Sequence, residues 1–342
     1  MIIVMKPRVE ESEVRQICGL LEEHGLTPHV SAGQERTIIG IIGDKSKLNL
    51  AQLEMRSGVD KLVPIVEPYK LASRPFHPEP TVFQIGDVVF GGAEPVQIAG
   101  PCSVESQEQL FEVAEAVSAC GARVLRGGAY KPRTSPYSFQ GLGIDGLKMM
   151  REVADQFGML VISEITSEYD LDEARDYLDI VQIGARNSQN FRLLSAVGKA
   201  KMPTLLKRGI SSSIEEWLGS AEYIMAEGEH RVILCERGIR TFETETRSTL
   251  DISAIPVLKE KSHLPVFVDP SHAAGRASLV PALSRAAIAA GADGLIIEVH
   301  NNPPLAKSDA AQQLTPAQYK TLMDQLRELA NVMGRFAMIG EE

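Results

Sequence analysis

The sequence is poor in cysteine and in positive charge, and each deficit excludes a class of protein. Its 342 residues include only four cysteines, Cys18, Cys102, Cys120 and Cys235, and no CxxC pair. This spacing excludes a disulfide-dense secreted scaffold, so we expect reduced thiols, most of them packed in the interior. The 35 Lys and Arg against 45 Asp and Glu give a net charge of −10. A chain this acidic is not expected to bind nucleic acid or an anionic membrane.

Long apolar runs and nucleotide-binding glycine motifs are also missing. No apolar run approaches the roughly 18 residues needed to span a bilayer, and the first seven residues are too short for the apolar part of a signal peptide. There is no GxxxxGK[ST], and no GxGxxG between a strand and a helix, so a nucleotide cofactor has little support. We predict a cytoplasmic protein of ordinary globular composition, with 44% hydrophobic and 23% charged residues.

The first 67 residues predict a small α+β domain. Their apolar patterns alternate as strand, helix, strand, strand, helix and strand: IIVMK, Glu10 to Leu21, TPHVS, TIIGIIG, Leu48 to Met55 and KLVPIV. This order is typical of a ferredoxin-like (ACT-like) module. Prolines at 68, 75, 78 and 80 then favour an irregular linker. We therefore predict a domain at 1–67, a linker at 68–80 and a second domain at 81–342.

After a hairpin-like piece, VFQIGDVVFGG, the second domain alternates eight β-rich runs with eight amphipathic stretches. The runs are PVQIAG, RVLRGG, LVISE, DIVQIG, PTLLKRG, VILCERG, LPVFVDP and GLIIEV. The predicted helices are Gln107 to Ala119, Gly146 to Phe157, Tyr169 to Tyr177, Phe191 to Ala200, Ile214 to Ala226, Ile252 to Lys261, Ala277 to Ala290 and Pro316 to Met333. Eight such pairs over about 250 residues predict a (β/α)8 TIM barrel. A doubly wound open sheet is the alternative, since counting strands does not prove closure.

Six basic residues follow the predicted strands near the points where they end, which is where such barrels build their active sites. They are Arg126, Lys131, Arg133, Arg186, Lys207 and Arg237. Six cations at one face would repel each other unless anions lie among them. Ion pairs with carboxylates at the barrel rim are one explanation. The favoured one is a pocket for phosphorylated or carboxylated metabolites, whose oxygens suit arginine forks and lysine charges.

A second group contains metal-ligating side chains. Cys102, His272 and Glu298 follow the first, seventh and eighth runs, which become neighbours when a barrel closes, and Asp309 lies eleven residues after Glu298. Thiolate, imidazole and carboxylates together suit several first-row divalent ions, so the spacing predicts a metal site without choosing the ion. His300 competes with His272 for this role, and a purely structural histidine is the alternative.

Seven segments carry a resemblance to a known family. They are IAGPCSVES, LRGGAYKPRTSPYSFQGLG, QIGARNSQNF, LLKRG, ILCERGIRTFE, VDPSHAAGR and IIEVHNNP with the later Ser-Asp pair. Together they resemble the type I (beta subgroup) 3-deoxy-D-arabino-heptulosonate 7-phosphate (DAHP) synthases with an N-terminal ferredoxin-like regulatory domain. KPRTSP is the most specific motif, because the related 3-deoxy-octulosonate 8-phosphate synthases typically have a KANRSS-like segment there.

This resemblance implies an enzyme of the shikimate pathway to aromatic amino acids. It would condense phosphoenolpyruvate with erythrose 4-phosphate and release phosphate. The implied metal ligands are Cys102, His272, Glu298 and Asp309. Manganese is the first choice of ion, with iron, cobalt, zinc and cadmium as alternatives.

The resemblance also implies substrate contacts. Those for phosphoenolpyruvate are Arg126, Lys131, Glu164, Arg186, Lys207 and Arg237. Those for erythrose 4-phosphate are Lys131, Pro132, Arg133 and Thr134. The residues expected to act in catalysis are Lys131, His272 and Cys102, and the choice between Lys131 and His272 for proton transfer stays open.

The N-terminal domain is expected to regulate rather than catalyse. In similar proteins it senses an aromatic amino acid, and His29 and Ser31 in TPHVS match the effector contacts. Tyrosine or phenylalanine is the expected effector, and a shared effector site implies a homo-oligomer, a dimer or a tetramer. Two other functions stay open: a 3-deoxy-octulosonate 8-phosphate synthase, which KPRTSP disfavours, and a non-catalytic metabolite-sensing barrel.

Overall fold

The computed structural model divides into two compact units. It describes residues 1–33, 36–43, 48–63, 68–131 and 137–335. One unit contains residues 1–80 with 260–263, and the other contains residues 81–259 with the chain from 264 onward. Within the described ranges, no helix combines the length and apolarity needed to cross a bilayer.

The first unit is an antiparallel sheet with two helices. Its elements are β1 Ile2–Met5, α1 Glu11–Glu23, β2 Thr27–Ala32, β3 Thr37–Ile42, α2 Leu50–Glu54 and β4 Val59–Val63. The strands lie in the order β2-β3-β1-β4. Helix α1 buries Val14, Ile17 and Leu21, a helical spacing that turns one apolar stripe toward the sheet. The predicted ferredoxin-like fold is confirmed.

The last strand of this unit begins earlier than the run KLVPIV predicts. Strand β4 starts at Val59, which is buried and pairs with Met5 where the register of β1 shifts. A bulge therefore admits two residues before the apolar run into the ladder. Residues 64–66 of the predicted run lie outside the described residues.

The second unit opens with an antiparallel hairpin and continues as a closed barrel. The hairpin consists of β5 Phe83–Ile85 and β6 Val88–Phe90. The barrel strands are β7 Val96–Gly100, β8 Val124–Arg126, β9 Leu160–Ile165, β10 Ile180–Ile183, β11 Thr204–Lys207, β12 Val232–Glu236, β13 Val266–Val268 and β14 Gly294–Glu298. Parallel pairing between β14 and β7 closes the ring. The predicted TIM barrel is confirmed, and the open-sheet alternative is wrong.

Helices follow the strands nearly where they were predicted. They are α3 Gln107–Ser118, α4 Ile144–Gln156, α5 Glu168–Ala174, α6 Phe191–Lys199, α7 Ile214–Ala226, α8 Ala254–Lys261, α9 Pro270–Ala274, α10 Val280–Ala289 and α11 Pro316–Val332. Capping boxes at Ser213 and Thr315 explain the sharp starts of α7 and α11. The structure differs in two details: the helix expected from Ala277 opens with a 3₁₀ turn before α10, and the short helix α9 is additional to the predicted helices.

Alternation along the strands gives the barrel interior two layers. The apolar layer includes Val124, Ile162, Leu205, Cys235, Phe267 and Ile296, and it packs with Val88 and Phe90 of the hairpin. Because strand side chains alternate, the residues two positions later point to the same interior. They are Arg126, Glu164, Lys207, Arg237, Asp269 and Glu298. These residues form the polar layer, at the carboxyl ends of the strands.

Candidate active site

Four metal-ligating side chains meet at one side of the polar layer. Cys102 follows β7, His272 lies in α9 after β13, Glu298 ends β14, and Asp309 lies in the loop after β14. One donor atom from each lies within 4.8 Å of the others, and no second group of this kind is found among the described residues. The order β13-β14-β7 in the closed ring makes the three supporting strands neighbours. We call these four residues the donor cluster.

Helix α9 orients the histidine of the cluster. Asp269 accepts from the backbone N–H of His272 at its N-cap through Oδ1 (2.9 Å), and its Oδ2 lies 2.7 Å from His272 Nδ1. The ring therefore turns Nε2 toward the cluster, 3.5 Å from Glu298 Oε1 and 3.8 Å from Asp309 Oδ2. A carboxylate behind a histidine is the usual support for a metal-binding imidazole.

The cysteine is fixed by a tight approach between two strands. Gly100 has φ +153°, and a Cβ there would lie 2.0 Å from the carbonyl oxygen of Arg126, so the chain needs glycine just before Cys102. The Cys102 N–H donates to Gln313 Oε1 (3.0 Å). Its Sγ lies 3.5 Å from Asp309 Oδ2, which brings the thiol into the cluster.

Charge and burial set the protonation of the cluster. Burial, with the charge of Glu298, raises the pKa of the Cys102 thiol to about 11. Burial lowers the pKa of His272, so its imidazole is neutral at pH 7. Burial alone would raise the pKa of Asp309, but Arg247 and His272 lower it to about 2. The pKa of Glu298 is also lowered, because charged neighbours outweigh its burial. Cys102 is thus the one donor that must lose a proton to bind an ion at neutral pH.

A cavity of about 860 Å³ adjoins the cluster. His272 and Asp309 line it, and so do six described cations, Lys131, Arg186, Lys207, Arg237, Arg240 and Arg247. Arg186 is exposed, while Lys207 and Arg237 are buried in its wall. A concave, cation-lined cavity beside metal donors is suited to small anionic molecules.

The six predicted cations do not all stand free in this cavity. Lys207 Nζ lies 2.5 Å from Asp269 Oδ2, and Arg126 is buried beside Glu298 (2.9 Å) and is not among the lining residues. The ion-pair explanation therefore holds for these two. Arg237 Nη1 donates to Ser248 Oγ (3.1 Å). Arg133 lies outside the described residues, as do Pro132 and Thr134.

Lys131 and Glu164 both line the cavity. Lys131 Nζ lies 2.9 Å from the Cys102 carbonyl oxygen and 3.1 Å from Cys102 Sγ. Glu164 needs Gly184 opposite it, since a Cβ there would lie 1.9 Å from Glu164 Oε1. Burial raises the pKa of Glu164 despite the cations around it. Lys131 is thereby tied to the donor cluster, and Glu164 is a carboxyl group in a cationic cavity whose pKa burial keeps above its ordinary value.

His300 does not belong to the cluster, so the alternative to His272 is wrong. Its Nδ1 accepts from the backbone N–H of Asn302 (2.9 Å), which turns Nε2 toward Glu105 at 3.7 Å. Glu105 in turn accepts from the backbone N–H of Lys307 (2.8 Å). His300 thus supports the loop that carries Asp309.

Several polar residues of the site were given no role from the sequence. Asp269 stands at the end of the seventh predicted strand, and the period of two along β13 could have assigned it to the polar layer. Arg247 lies in a loop and Gln312 in a single 3₁₀ turn, and neither gives a periodic signal. Arg208 pairs with Glu236 and with Asp251, both at 2.9 Å, and so fastens the strand ends that carry Lys207 and Arg237.

In the first unit, His29 and Ser31 lie two residues apart on β2 and share one face. The His29 ring packs against Phe76 with centroids 4.8 Å apart. Gly40, the partner of His29 in the sheet, leaves the space for Phe76, since a Cβ there would lie 1.7 Å from that ring. Both residues are half-buried, so they are not the freely exposed strand end that a purely structural role suggests.

A (β/α)8 barrel with a donor cluster beside a cation-lined cavity defines an enzyme-type site for anionic substrates. A model of the DAHP synthetase I family matches residues 70–334, and one of the DAHP synthase ferredoxin-like domain matches residues 1–67. The chain belongs to the DAHP synthetase I family.

Known relatives agree with this assignment. The phospho-2-dehydro-3-deoxyheptonate aldolase of Thermotoga maritima is 54% identical over 334 residues, 98% of this chain and 99% of that protein. The 2-dehydro-3-deoxyphosphooctonate aldolase of Koribacter versatilis is 32% identical over 253 residues, 68% of this chain and 90% of that one. The crystal structure of the T. maritima DAHP synthase matches with a TM-score of 0.79 at 53% identity and covers 98% of both chains. Its truncated form matches with a TM-score of 0.73 over 78% of this chain and 98% of that one, at 53% identity.

Proposed function

We propose that this chain is a 3-deoxy-7-phosphoheptulonate synthase that condenses phosphoenolpyruvate with erythrose 4-phosphate and releases phosphate. It would act at the entrance to the shikimate pathway, in the cytoplasm. The observation that carries the proposal is the donor cluster beside a cation-lined cavity. The 54% identity to the T. maritima aldolase over almost the full length supports it.

The donor cluster suits a divalent ion, with Cys102, His272, Glu298 and Asp309 as ligands. Its sulfur, nitrogen and oxygen donors fit first-row metals, of which manganese is our first choice and iron, cobalt, zinc and cadmium are alternatives. Such an ion would act as a Lewis acid that polarises the aldehyde of the acceptor. Asp269 would hold the imidazole with Nε2 turned to the ion.

The cations of the cavity would hold phosphoenolpyruvate. Arg186 and Arg237 would bind its phosphate, because arginine forks match phosphate oxygens. Lys207 and Arg126 would bind its carboxylate. Lys207 lines the cavity, whereas Arg126 reaches the substrate only if it loosens its contact with Glu298. The anionic substrate would thus compete with Asp269 for Lys207 and with Glu298 for Arg126.

Lys131 would lie between the two substrates, and Pro132, Arg133 and Thr134 would complete the site for erythrose 4-phosphate. The new bond joins the methylene carbon of phosphoenolpyruvate to the aldehyde carbon. Water then adds to the carbon that bears the phosphate, and the C–O bond to phosphate breaks. Glu164 would hold that water, since its raised pKa lets it exchange a proton. Lys131 would protonate the aldehyde oxygen, because both ring nitrogens of His272 would be engaged, Nδ1 by Asp269 and Nε2 by the ion.

The choice of acceptor tests this function. We expect phosphate release from phosphoenolpyruvate with erythrose 4-phosphate and little with arabinose 5-phosphate. The reverse preference would instead identify a 3-deoxy-octulosonate 8-phosphate synthase. Binding of phosphoenolpyruvate without turnover of either acceptor would identify a metabolite-sensing barrel.

We also propose feedback control by tyrosine or phenylalanine through His29 and Ser31, in a homodimer or homotetramer. Their shared face on β2 supports a ligand site there. The activity of the full chain should fall when the effector is added, and that of a chain lacking residues 1–67 should not. His29→Ala should lose the response, while His24→Ala, at an exposed helix end, should keep it. Equal inhibition of the full and shortened chains would remove this unit from the mechanism.

A further inference from the structure

Gln312 lies between the two carboxylates of the donor cluster. Its Nε2 is 2.5 Å from Glu298 Oε2 and 3.3 Å from Asp309 Oδ2. The residue is 2% exposed, so water does not replace these contacts. One amide group therefore donates to two carboxylates, one at the end of β14 and one in the loop that follows it.

The orientation of this amide is fixed from its other side. Arg247 Nη1 lies 2.9 Å from Gln312 Oε1 and 3.1 Å from Asp309 Oδ2. A guanidinium can only donate hydrogen bonds, so the amide oxygen must face Arg247 and the amide nitrogen must face the carboxylates. A flipped amide would place its NH₂ against Arg247 and its oxygen against two anions.

The contact decides which oxygen of Glu298 faces the cluster. Gln312 holds Oε2, while Oε1 lies 3.5 Å from His272 Nε2. Arg126 approaches the same Oε1 at 2.9 Å. Without Gln312, the carboxylate could rotate toward Arg126 alone, and the buried Glu298 and the half-buried Asp309 would lose a shared donor.

We propose that Gln312 is a positioning residue for the metal site, which presents Glu298 and Asp309 to a divalent ion. This inference rests on the metal dependence proposed above. Loss of such an outer contact typically weakens metal binding about 10- to 100-fold. Gln312 would touch neither the ion nor the substrates, so its effect would appear in metal affinity before it appears in substrate affinity.

The test compares Gln312→Met, which keeps the length of the side chain, with Gln97→Met. Gln97 is another buried glutamine of the barrel, on β7, and its amide donates to Pro95. The affinity of each full chain for Mn²⁺ is measured without substrates by competition with a chelating dye. We expect Gln312→Met to bind Mn²⁺ about 10- to 100-fold more weakly than wild type, and Gln97→Met to bind as wild type does.

A spectroscopic measurement separates positioning from loss of folding. The visible d–d bands of the Co²⁺-loaded chain report ligand geometry, and they should change in Gln312→Met and not in Gln97→Met. If Gln312→Met does not fold, Gln312→Asn, whose shorter amide withdraws from Glu298, replaces it with the same expected loss.

The outcomes distinguish this inference from the proposed function. If the wild type binds Mn²⁺ and the folded Gln312 variant has the same affinity and the same Co²⁺ spectrum, the role of Gln312 is overturned and the proposed function stands. If the wild type binds neither Mn²⁺ nor Co²⁺, both the role of Gln312 and the proposed metal dependence are overturned. An equal loss in Gln97→Met would mean that any buried glutamine matters, and it would also overturn the specific role.

Discussion

Cys235 and Cys102 are both fully buried, yet they lie in different layers of the barrel interior. Cys235 belongs to the apolar layer with Phe267 and Ile296, and burial raises the pKa of its thiol. Cys102 lies beside Lys131 and Asp309 at the carboxyl end. Two residues along a strand, roughly 7 Å, separate a layer that stabilises the fold from one that holds charge. Burial alone therefore does not mark a functional residue; the neighbours in its layer do.

Removing a large side chain that packs against the apolar layer should have the largest effect, and the effect should be on stability. Phe90 is fully buried and stacks with Phe83 and Phe267, with centroids 5.3 and 6.1 Å apart. Phe90→Ala should lower the free energy of unfolding by about 3–5 kcal/mol, because it leaves a cavity. Urea unfolding measures the change. A loss below about 1 kcal/mol would mean that the hairpin contributes little to the barrel core.

Matched cysteine variants test the two layers directly. Cys102→Ala should reduce activity at limiting metal by at least about 100-fold, since losing a ligand costs more than losing an outer contact. Cys235→Ala should retain activity and lose about 1 kcal/mol of stability. Initial rates across a Mn²⁺ titration measure the first effect. Full activity of Cys102→Ala at limiting metal would contradict its assignment as a ligand.

Removing one cation from the cavity should have a smaller effect, a loss of catalytic efficiency with phosphoenolpyruvate. Arg186 is exposed, so Arg186→Ala should leave stability unchanged. It should lower kcat/KM for phosphoenolpyruvate by about 10- to 100-fold, the worth of a hydrogen bond to a charged group. Arg192→Ala, which removes an exposed arginine of α6, is the matched control. Unchanged steady-state constants in Arg186→Ala would end its role in substrate binding.

The smallest expected effect is a pH dependence of metal binding. The Cys102 thiol has a pKa of about 11, so at pH 7 it is protonated and must release its proton to bind an ion. The apparent affinity for Mn²⁺ should therefore rise with pH, by at most about tenfold per unit from this group. Calorimetry in buffers of different ionisation enthalpy should show about one proton released per ion, and none from this source in Cys102→Ala. A pH-independent affinity would contradict the thiol as ligand.

Regular features of the molecule could be predicted from its sequence. Short β-rich runs between amphipathic stretches identified the eight strands, and their order placed Cys102, His272 and Glu298 together once the ring closed. Both results follow from backbone periodicity and barrel geometry, which depend little on side-chain detail.

The irregular contacts of the site could not be predicted in this way. Arg247 and Asp309 are 62 residues apart, and they meet only because two loops fold toward each other. Asp309 itself has a left-handed backbone (φ +50°), which no apolar pattern signals. The ion pair between Lys207 and Asp269 could not be predicted either, because a sequence shows which residues are charged but not which of them form a pair.

Removal and return of the metal tests the central claim most directly. The full chain is stripped with a chelator, and phosphate release from phosphoenolpyruvate and erythrose 4-phosphate is measured before and after Mn²⁺ is added back. The donor cluster predicts that activity is lost on stripping and restored by Mn²⁺ in the wild type, but not in Cys102→Ala. Full activity in the stripped wild type would contradict the claim that the activity depends on a metal ion held by the donor cluster.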